Sequence, residues 1–150
     1  MSEYDIYYMN MALEQAKICI ELGEIPVGAV IVSNKTVIST GMNLRERNHN
    51  ALAHAEIVAI NRACILLKRW RLTGCTMYVT LEPCAMCAGA IVNARLERVV
   101  YGASDENMGV VGSVANIFAM PLGHHPRVTT GVLKEECEDI LRGFFKNIRK

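Results

Sequence analysis

The chain has 150 residues, 51% hydrophobic and 21% charged, a balance that fits one folded domain over 1–150 and excludes a disordered chain. Lys plus Arg number 16 against 15 for Asp plus Glu, so the net charge is +1 and any nucleic-acid binding must rest on local patches. No apolar run reaches the roughly 18 residues of a membrane span. The start, Met1-Ser2-Glu3-Tyr4-Asp5, lacks the basic and apolar regions of a signal peptide, so a cytoplasmic protein is expected.

Met9, Leu13, Ala16 and Ile20 recur at helical spacing, with Ser2 or Asp5 as the cap and Gly23 as the stop, and predict a first amphipathic helix. After Ile25-Pro26, the run Val27-Gly28-Ala29-Val30-Ile31-Val32 has the length of a strand buried on both faces, which calls for helices on both sides of a sheet. Ser33-Asn34-Lys35 turns the chain into a partner strand, Thr36-Val37-Ile38-Ser39-Thr40. Residues 41–50 are polar and read as a loop. A second helix begins near His54 and presents Ile57, Val58, Ile60, Ala63, Cys64 and Leu67. Thr76-Met77-Tyr78-Val79-Thr80 is a third strand, Pro83 stands at the start of a third helix over 84–94, and Arg98-Val99-Val100-Tyr101-Gly102 is a fourth strand. A glycine-punctuated loop over 103–113 follows, then a short strand at 128–130 and a last helix over 134–150. Strands alternating with helices predict an α/β fold, a three-layer α/β/α sandwich around a mixed sheet of about five strands.

Six cysteines stand at 19, 64, 75, 84, 87 and 137. Without a secretory signal they are expected to be reduced, and the close pair Cys84-x-x-Cys87 then reads as metal or redox chemistry. Cys19, Cys64 and Cys137 fall in apolar helical patterns and read as core.

Two short segments carry the chemistry, Ala53-His54-Ala55-Glu56 and Glu82-Pro83-Cys84-Ala85-Met86-Cys87. Cysteines three apart on a helix point the same way, and thiolates at helix N-termini are favoured by the positive end of the dipole. Two adjacent strand-to-helix connections would bring His54, Cys84 and Cys87 to one edge of the sheet. Three protein ligands leave a position open for water, as in catalytic zinc sites; structural sites are usually closed by four. Cys75 or His49 is available as a fourth ligand, and a redox role for the Cys pair is the other alternative. Glu56 discriminates among these readings. In a regular helix it would not share a face with His54, so the two converge only in an irregular first turn. There Glu56 can take the proton of a zinc-bound water whose pKa is lowered toward roughly 7.

His-x-Glu followed by Pro-Cys-x-x-Cys is the signature of the zinc deaminases, of which the TadA-type enzymes are a standard example. Over nearly its whole length the chain resembles the bacterial tRNA-specific adenosine deaminases (TadA type) of the cytidine deaminase-like superfamily. The resemblance is carried by Ile25-Pro26-Val27-Gly28-Ala29-Val30, Gly41-Met42-Asn43, His54-Ala55-Glu56, Val79-Thr80-Leu81-Glu82-Pro83-Cys84, Met86-Cys87-Ala88-Gly89-Ala90, Arg98-Val99-Val100-Tyr101-Gly102-Ala103, Gly109-Val110-Val111-Gly112-Ser113 and Phe144-Phe145-Lys146. It implies the cytidine deaminase-like fold, a homodimer, and conversion of adenosine to inosine at the wobble position of a tRNA anticodon. It further implies one Zn2+ per subunit held by His54, Cys84 and Cys87, with Glu56 shuttling protons while hydroxide on the zinc attacks C6. Asn43 and Ala55 would contact the base, Asp105 would face the sugar-phosphate chain, and Phe145 would pack near the RNA. The partner implied is a tRNA anticodon loop, with no membrane and no DNA.

The chain departs from the family pattern at Asn50-Ala51-Leu52, at Asn107 where a cation is common, and at His125-Pro126, all expected on the substrate side. The end of the chain offers Arg142, Lys146, Arg149 and Lys150 interleaved with Phe144 and Phe145, a composition that suits single-stranded RNA loops. Arg45, Arg47, His49, Lys68, Arg69 and Arg71 are further contact candidates. Two other functions fit parts of the pattern: a deaminase of guanine, cytosine or a free nucleoside, and a non-catalytic zinc-stabilised RNA-binding module.

Overall fold

A computed structural model describes residues 2–148. The elements follow in the order α1 (Glu3–Glu21), β1 (Gly28–Ser33), β2 (Thr36–Met42), α2 (Ala55–Leu67), β3 (Thr76–Leu81), α3 (Ala85–Asn93), β4 (Arg98–Ala103), a 3₁₀ turn (Ile117–Ala119), β5 (Arg127–Thr130) and α4 (Lys134–Ile148). The five strands form one mixed sheet in the order β2-β1-β3-β4-β5. β1 is antiparallel to both β2 and β3, whereas β3, β4 and β5 run parallel. Among the described residues no helix is long and apolar enough to cross a membrane.

The alternation of side chains along each strand explains the three layers. Ala29, Ile31, Met77, Val79, Val99 and Tyr101 point to one face and pack with Ala55, Ala59 and Ala63 of α2 and Ala88 and Ile91 of α3. Val30, Val32, Tyr78 and Val100 point to the other and pack with Tyr8, Met9, Ala12 and Leu13 of α1 and Cys137 of α4. β1 is buried on both faces, as its unbroken apolar run predicts.

Several local expectations are corrected. Ser2 caps α1, its Oγ accepting the Asp5 amide at 3.1 Å. Asp5 is instead buried: it accepts the Tyr78 hydroxyl at 2.9 Å and takes both Arg98 guanidinium nitrogens at 3.0 and 2.8 Å, tying α1 to β3 and β4. At the end of α1, Cys19 is fully buried and Ile20 is 42% exposed. The chain turns back beneath Cys19, whose Sγ reaches the carbonyls of Val27 and Asn43 at 3.5 Å, leaving Ile20 on the rim of the groove between α1 and α4. On α2 the fully buried face is Ala55, Glu56, Ala59 and Ala63, not the larger aliphatics. Small residues there let the helix lie close on β2, where Ser39 donates to the Ala59 carbonyl at 2.8 Å. Cys64, expected in the core, is half-buried.

Candidate active site

β1 delivers the 24–27 turn, β3 the 82–84 turn and β4 the 104–113 loop to one edge of the sheet, where a cleft of about 620 Å³ opens. Asn43, Arg45, His54, Ala55, Glu56, Cys84 and residues 104–108 line it, and Leu141 and Phe145 of α4 close one side.

His54 is the N-cap of α2, with extended backbone at φ −71° and ψ 155°. Cys84 is likewise the N-cap of α3, at φ −77° and ψ 178°, and Cys87 sits in the first turn of that helix. Their donor atoms converge: His54 Nδ1 lies 3.7 Å from Cys84 Sγ and 3.6 Å from Cys87 Sγ. A tetrahedral ion with bonds of about 2.3 Å to sulfur and about 2.05 Å to nitrogen would separate S and N by about 3.6 Å. The donor set therefore fits a borderline-soft divalent ion such as zinc.

Among the described residues these three form the one close group of metal-binding side chains. Cys75 precedes β3 and the site follows it, so the six-residue strand, at about 3.3 Å per residue, holds them about 20 Å apart. His49 is exposed on the 43–50 loop and does not join the group. Neither supplies a fourth ligand, and among the described residues no other His, Cys, Asp or Glu joins the group to close it.

Glu56 is the second residue of α2 and is 4% exposed. Burial pushes its carboxyl up to about 7, and the neighbouring Cys84 adds to the rise. Hydrogen bonds from Cys87 and His54 pull the Cys84 thiol down to about 3, while Cys84 and burial together raise Cys87. The site thus carries a thiolate facing an imidazole held above its ordinary value chiefly by Cys84.

Of the other sequence candidates, Asn43 is 7% exposed at the cleft. Its Nδ2 donates to the Ile25 carbonyl at 3.2 Å and its Oδ1 accepts the Arg45 amide at 3.0 Å, so its orientation is set by the protein. Asp105 Oδ1 accepts the amides of Asn107 and Met108, both at 3.1 Å, and shapes the loop it belongs to. Ala55 is fully buried in the cleft floor. Phe145 faces the cleft, whereas Phe144 turns to the groove between α1 and α4; adjacent helical residues are about 100° apart and cannot share a face. Arg142 pairs with Asp139 on the surface, and Arg149 and Lys150 lie outside the described residues.

Of the basic candidates among the described residues, Arg45 alone lines the cleft. Lys68, Arg69 and Arg71 follow the far end of the 13-residue α2, about 20 Å from its His54 cap. There Arg71 stacks on Trp70 at 4.3 Å. Among the departures, Asn107 lines the cleft, but Asn50 and Leu52 face a hollow along α2, and His125 Nδ1 bonds to the Phe118 carbonyl at 2.8 Å. Two of the three therefore do not line the cleft.

Sequence reasoning missed two carboxylates. Glu82 is 2% exposed and accepts the amides of Asp105, Val111 and Ser113 at 3.0–3.1 Å as well as the Ser113 hydroxyl. Glu24 is 1% exposed and accepts the amides of Glu46 and Arg47 at 3.0 and 2.7 Å. Each looks like a solvated acid in a polar turn; only its position between two loops reveals otherwise.

Fold and donor set define a deaminase of the cytidine deaminase-like class. The MafB19-like deaminase family model matches residues 3–149. The tRNA-specific adenosine deaminase of Bacillus subtilis (strain 168) is 47% identical over 147 residues, spanning 97% of this chain and 91% of its own. A solved structure from biochemical and structural studies of A-to-I editing by tRNA:A34 deaminases matches with a TM-score of 0.87 at 43% identity, covering 90% of this chain and 99% of that one. The guanine deaminase of Bacillus subtilis matches less completely, with a TM-score of 0.64 at 37% identity over 69% of this chain and 66% of that one. The chain belongs to the deaminase family and, within it, to the tRNA-specific adenosine deaminases.

Proposed function

We propose that the protein deaminates adenosine to inosine at the wobble position of a tRNA anticodon, as a single cytoplasmic deaminase domain over 1–150 that pairs with a second copy. The observation that carries this reading is the convergence of His54 Nδ1, Cys84 Sγ and Cys87 Sγ beside the buried Glu56, in a chain 47% identical to a tRNA-specific adenosine deaminase.

His54, Cys84 and Cys87 would hold one zinc ion. Bound there, zinc would polarise water and lower its pKa toward roughly 7. Glu56 accepts a proton from the attacking water, hands one to the ring nitrogen, and assists the departing amine, which leaves as ammonia. Its burial keeps that exchange away from bulk solvent. Asn43 hydrogen-bonds the base in an orientation set by Ile25 and Arg45, and Ala55 forms the floor beneath it. Asp105 faces the sugar-phosphate chain and Phe145 packs on the RNA at the rim. The adenine has to leave its stack to enter a cleft of this size.

The test is inosine formation by the purified zinc-loaded protein on an anticodon stem-loop with adenosine at the wobble position, with ammonia release from free bases and nucleosides measured beside it. Inosine in the RNA, with no turnover of small molecules, is the expected result. Ammonia only from a free purine would transfer the site to the second reading, small-molecule deamination, which the likeness to a guanine deaminase favours.

A further inference from the structure

The cleft has two irregular walls, and each is held by a buried carboxylate outside the donor cluster. Glu24, in the turn after α1, accepts the Glu46 amide on Oε1 and the Arg47 amide on Oε2. Residues 43–50, which it holds, bring Asn43 and Arg45 to the cleft. Glu82, at the end of β3, accepts the Asp105 amide and the Ser113 hydroxyl on Oε1, and the Val111 and Ser113 amides on Oε2. Residues 105–113, which it holds, bring Asp105, Glu106, Asn107 and Met108 to the opposite wall. Gly109 packs so closely on Glu82 that a Cβ there would fall on the carboxyl group.

Buried acids ordinarily pair with a cation. Among the described residues neither Glu24 nor Glu82 takes part in a salt bridge. Their charge is met by backbone N–H donors and one hydroxyl, and hydrogen bonds to a charged group are the strong kind. An acid satisfied by loop amides fixes the loop's path; Glu24 does so from outside the cleft, and Glu82 does so from its lining.

We infer that Glu24 and Glu82 are a pair of positioning residues that preform the two walls of the substrate cleft. A wall ordered in advance spares the substrate the entropy of ordering it on binding. Loss of either clamp therefore raises KM more than it lowers kcat. The inference rests on the deaminase reading of the cleft, and it assigns neither residue to proton transfer or metal binding.

The experiment compares the zinc-loaded full chain with Glu24→Gln, Glu82→Gln and Ser113→Ala. Glutamine keeps the size but turns an acceptor oxygen into a donor facing other donors. Amide hydrogen exchange should rise by about tenfold or more over 43–50 alone in Glu24→Gln and over 105–113 alone in Glu82→Gln. KM for the anticodon stem-loop should rise about tenfold, kcat should stay within about threefold, and zinc content should be unchanged. Ser113→Ala keeps the carboxylate and removes one donor; it should shift exchange over 105–113 and KM in the same direction by less, and it decides the matter if Glu82→Gln does not fold. Unchanged exchange, release spread over the whole sheet, unchanged KM or loss of zinc would each overturn the assignment. If the unmodified protein forms no inosine on any stem-loop, the tRNA reading fails, and the exchange measurement still decides whether the two acids hold the loops.

Discussion

His54 Nδ1 lies 3.6 Å from Cys87 Sγ across 33 residues of sequence, one group on the cap of α2 and the other in the first turn of α3. Two helix N-termini meet there, and their dipoles favour a thiolate. Removing one of the three donors should undo the site. Cys87→Ala is expected to weaken zinc binding by more than about 100-fold, since changes even to residues supporting a ligand cost about 10–100-fold. Metal analysis after dialysis against a weak chelator checks this, and full retention of zinc would remove Cys87 from the ligand set.

Glu56 has a different signature. Glu56→Gln would remove the proposed proton carrier and none of the three proposed ligands, so turnover should fall about 10²–10⁴-fold while zinc content stays the same. Stability should not drop, because the substitution relieves a carboxylate that burial already raises to about 7. Single-turnover inosine formation, metal analysis and thermal melting on one sample separate the three effects.

Phe145 and Arg45 line the same cleft and should differ in their response to salt. Phe145→Ala should weaken stem-loop binding by about 1–3 kcal/mol, the worth of one base–aromatic stack, with the salt slope unchanged. Arg45→Ala should weaken binding and lower the slope by about 1, the mark of one lost phosphate contact. Binding isotherms at several salt concentrations test both.

Asp5 makes a pH-dependent contribution to folding. Burial alone would raise its carboxyl, but the hydrogen bonds from Arg98 and Tyr78 outweigh burial and hold it below its ordinary 3.8. A carboxyl with a lowered folded-state pKa stabilises the fold at neutral pH, and that contribution fades as pH falls below 3.8 and through the folded value. Asp5→Asn should cost about 3 kcal/mol at pH 7, leaving the mostly buried Arg98 without its partner. Urea denaturation of both proteins should show the difference shrinking below pH 4, and a gap that stays constant with pH would refute it.

Gly41 lies under α2, where an added Cβ would meet the Ala55 carbonyl and come 2.7 Å from the Ala59 nitrogen. Gly41→Ala should cost about 1–3 kcal/mol by overpacking and lower activity, because α2 carries both His54 and Glu56. Gly143 on α4 has open space around it, so Gly143→Ala should stabilise by about 0.5–1 kcal/mol. Melting curves of the two variants should move in opposite directions.

The layers and the donor set were legible in the sequence for physical reasons. Apolar runs with period two or 3.6 report burial directly, and a His-x-Glu and Cys-x-x-Cys pair has few uses other than metal chemistry. The α/β class, the five strands and the segments bearing His54, Glu56, Cys84 and Cys87 therefore follow from the chain alone. Which other groups join them depends on distances that spacing does not encode. Cys75 and His49 looked available as ligands, and tertiary structure places one at the far end of β3 and leaves the other outside the group. Phe144 and Phe145 are neighbours in sequence, yet the helix turns them to different grooves. Asp5 looks like a helix cap and Glu24 and Glu82 like solvated acids, because charge and polarity describe a residue's own chemistry and not the donors that long-range folding brings to it. Local pattern sets the elements and the reactive groups; only packing in three dimensions decides which acids are buried and which loops they hold.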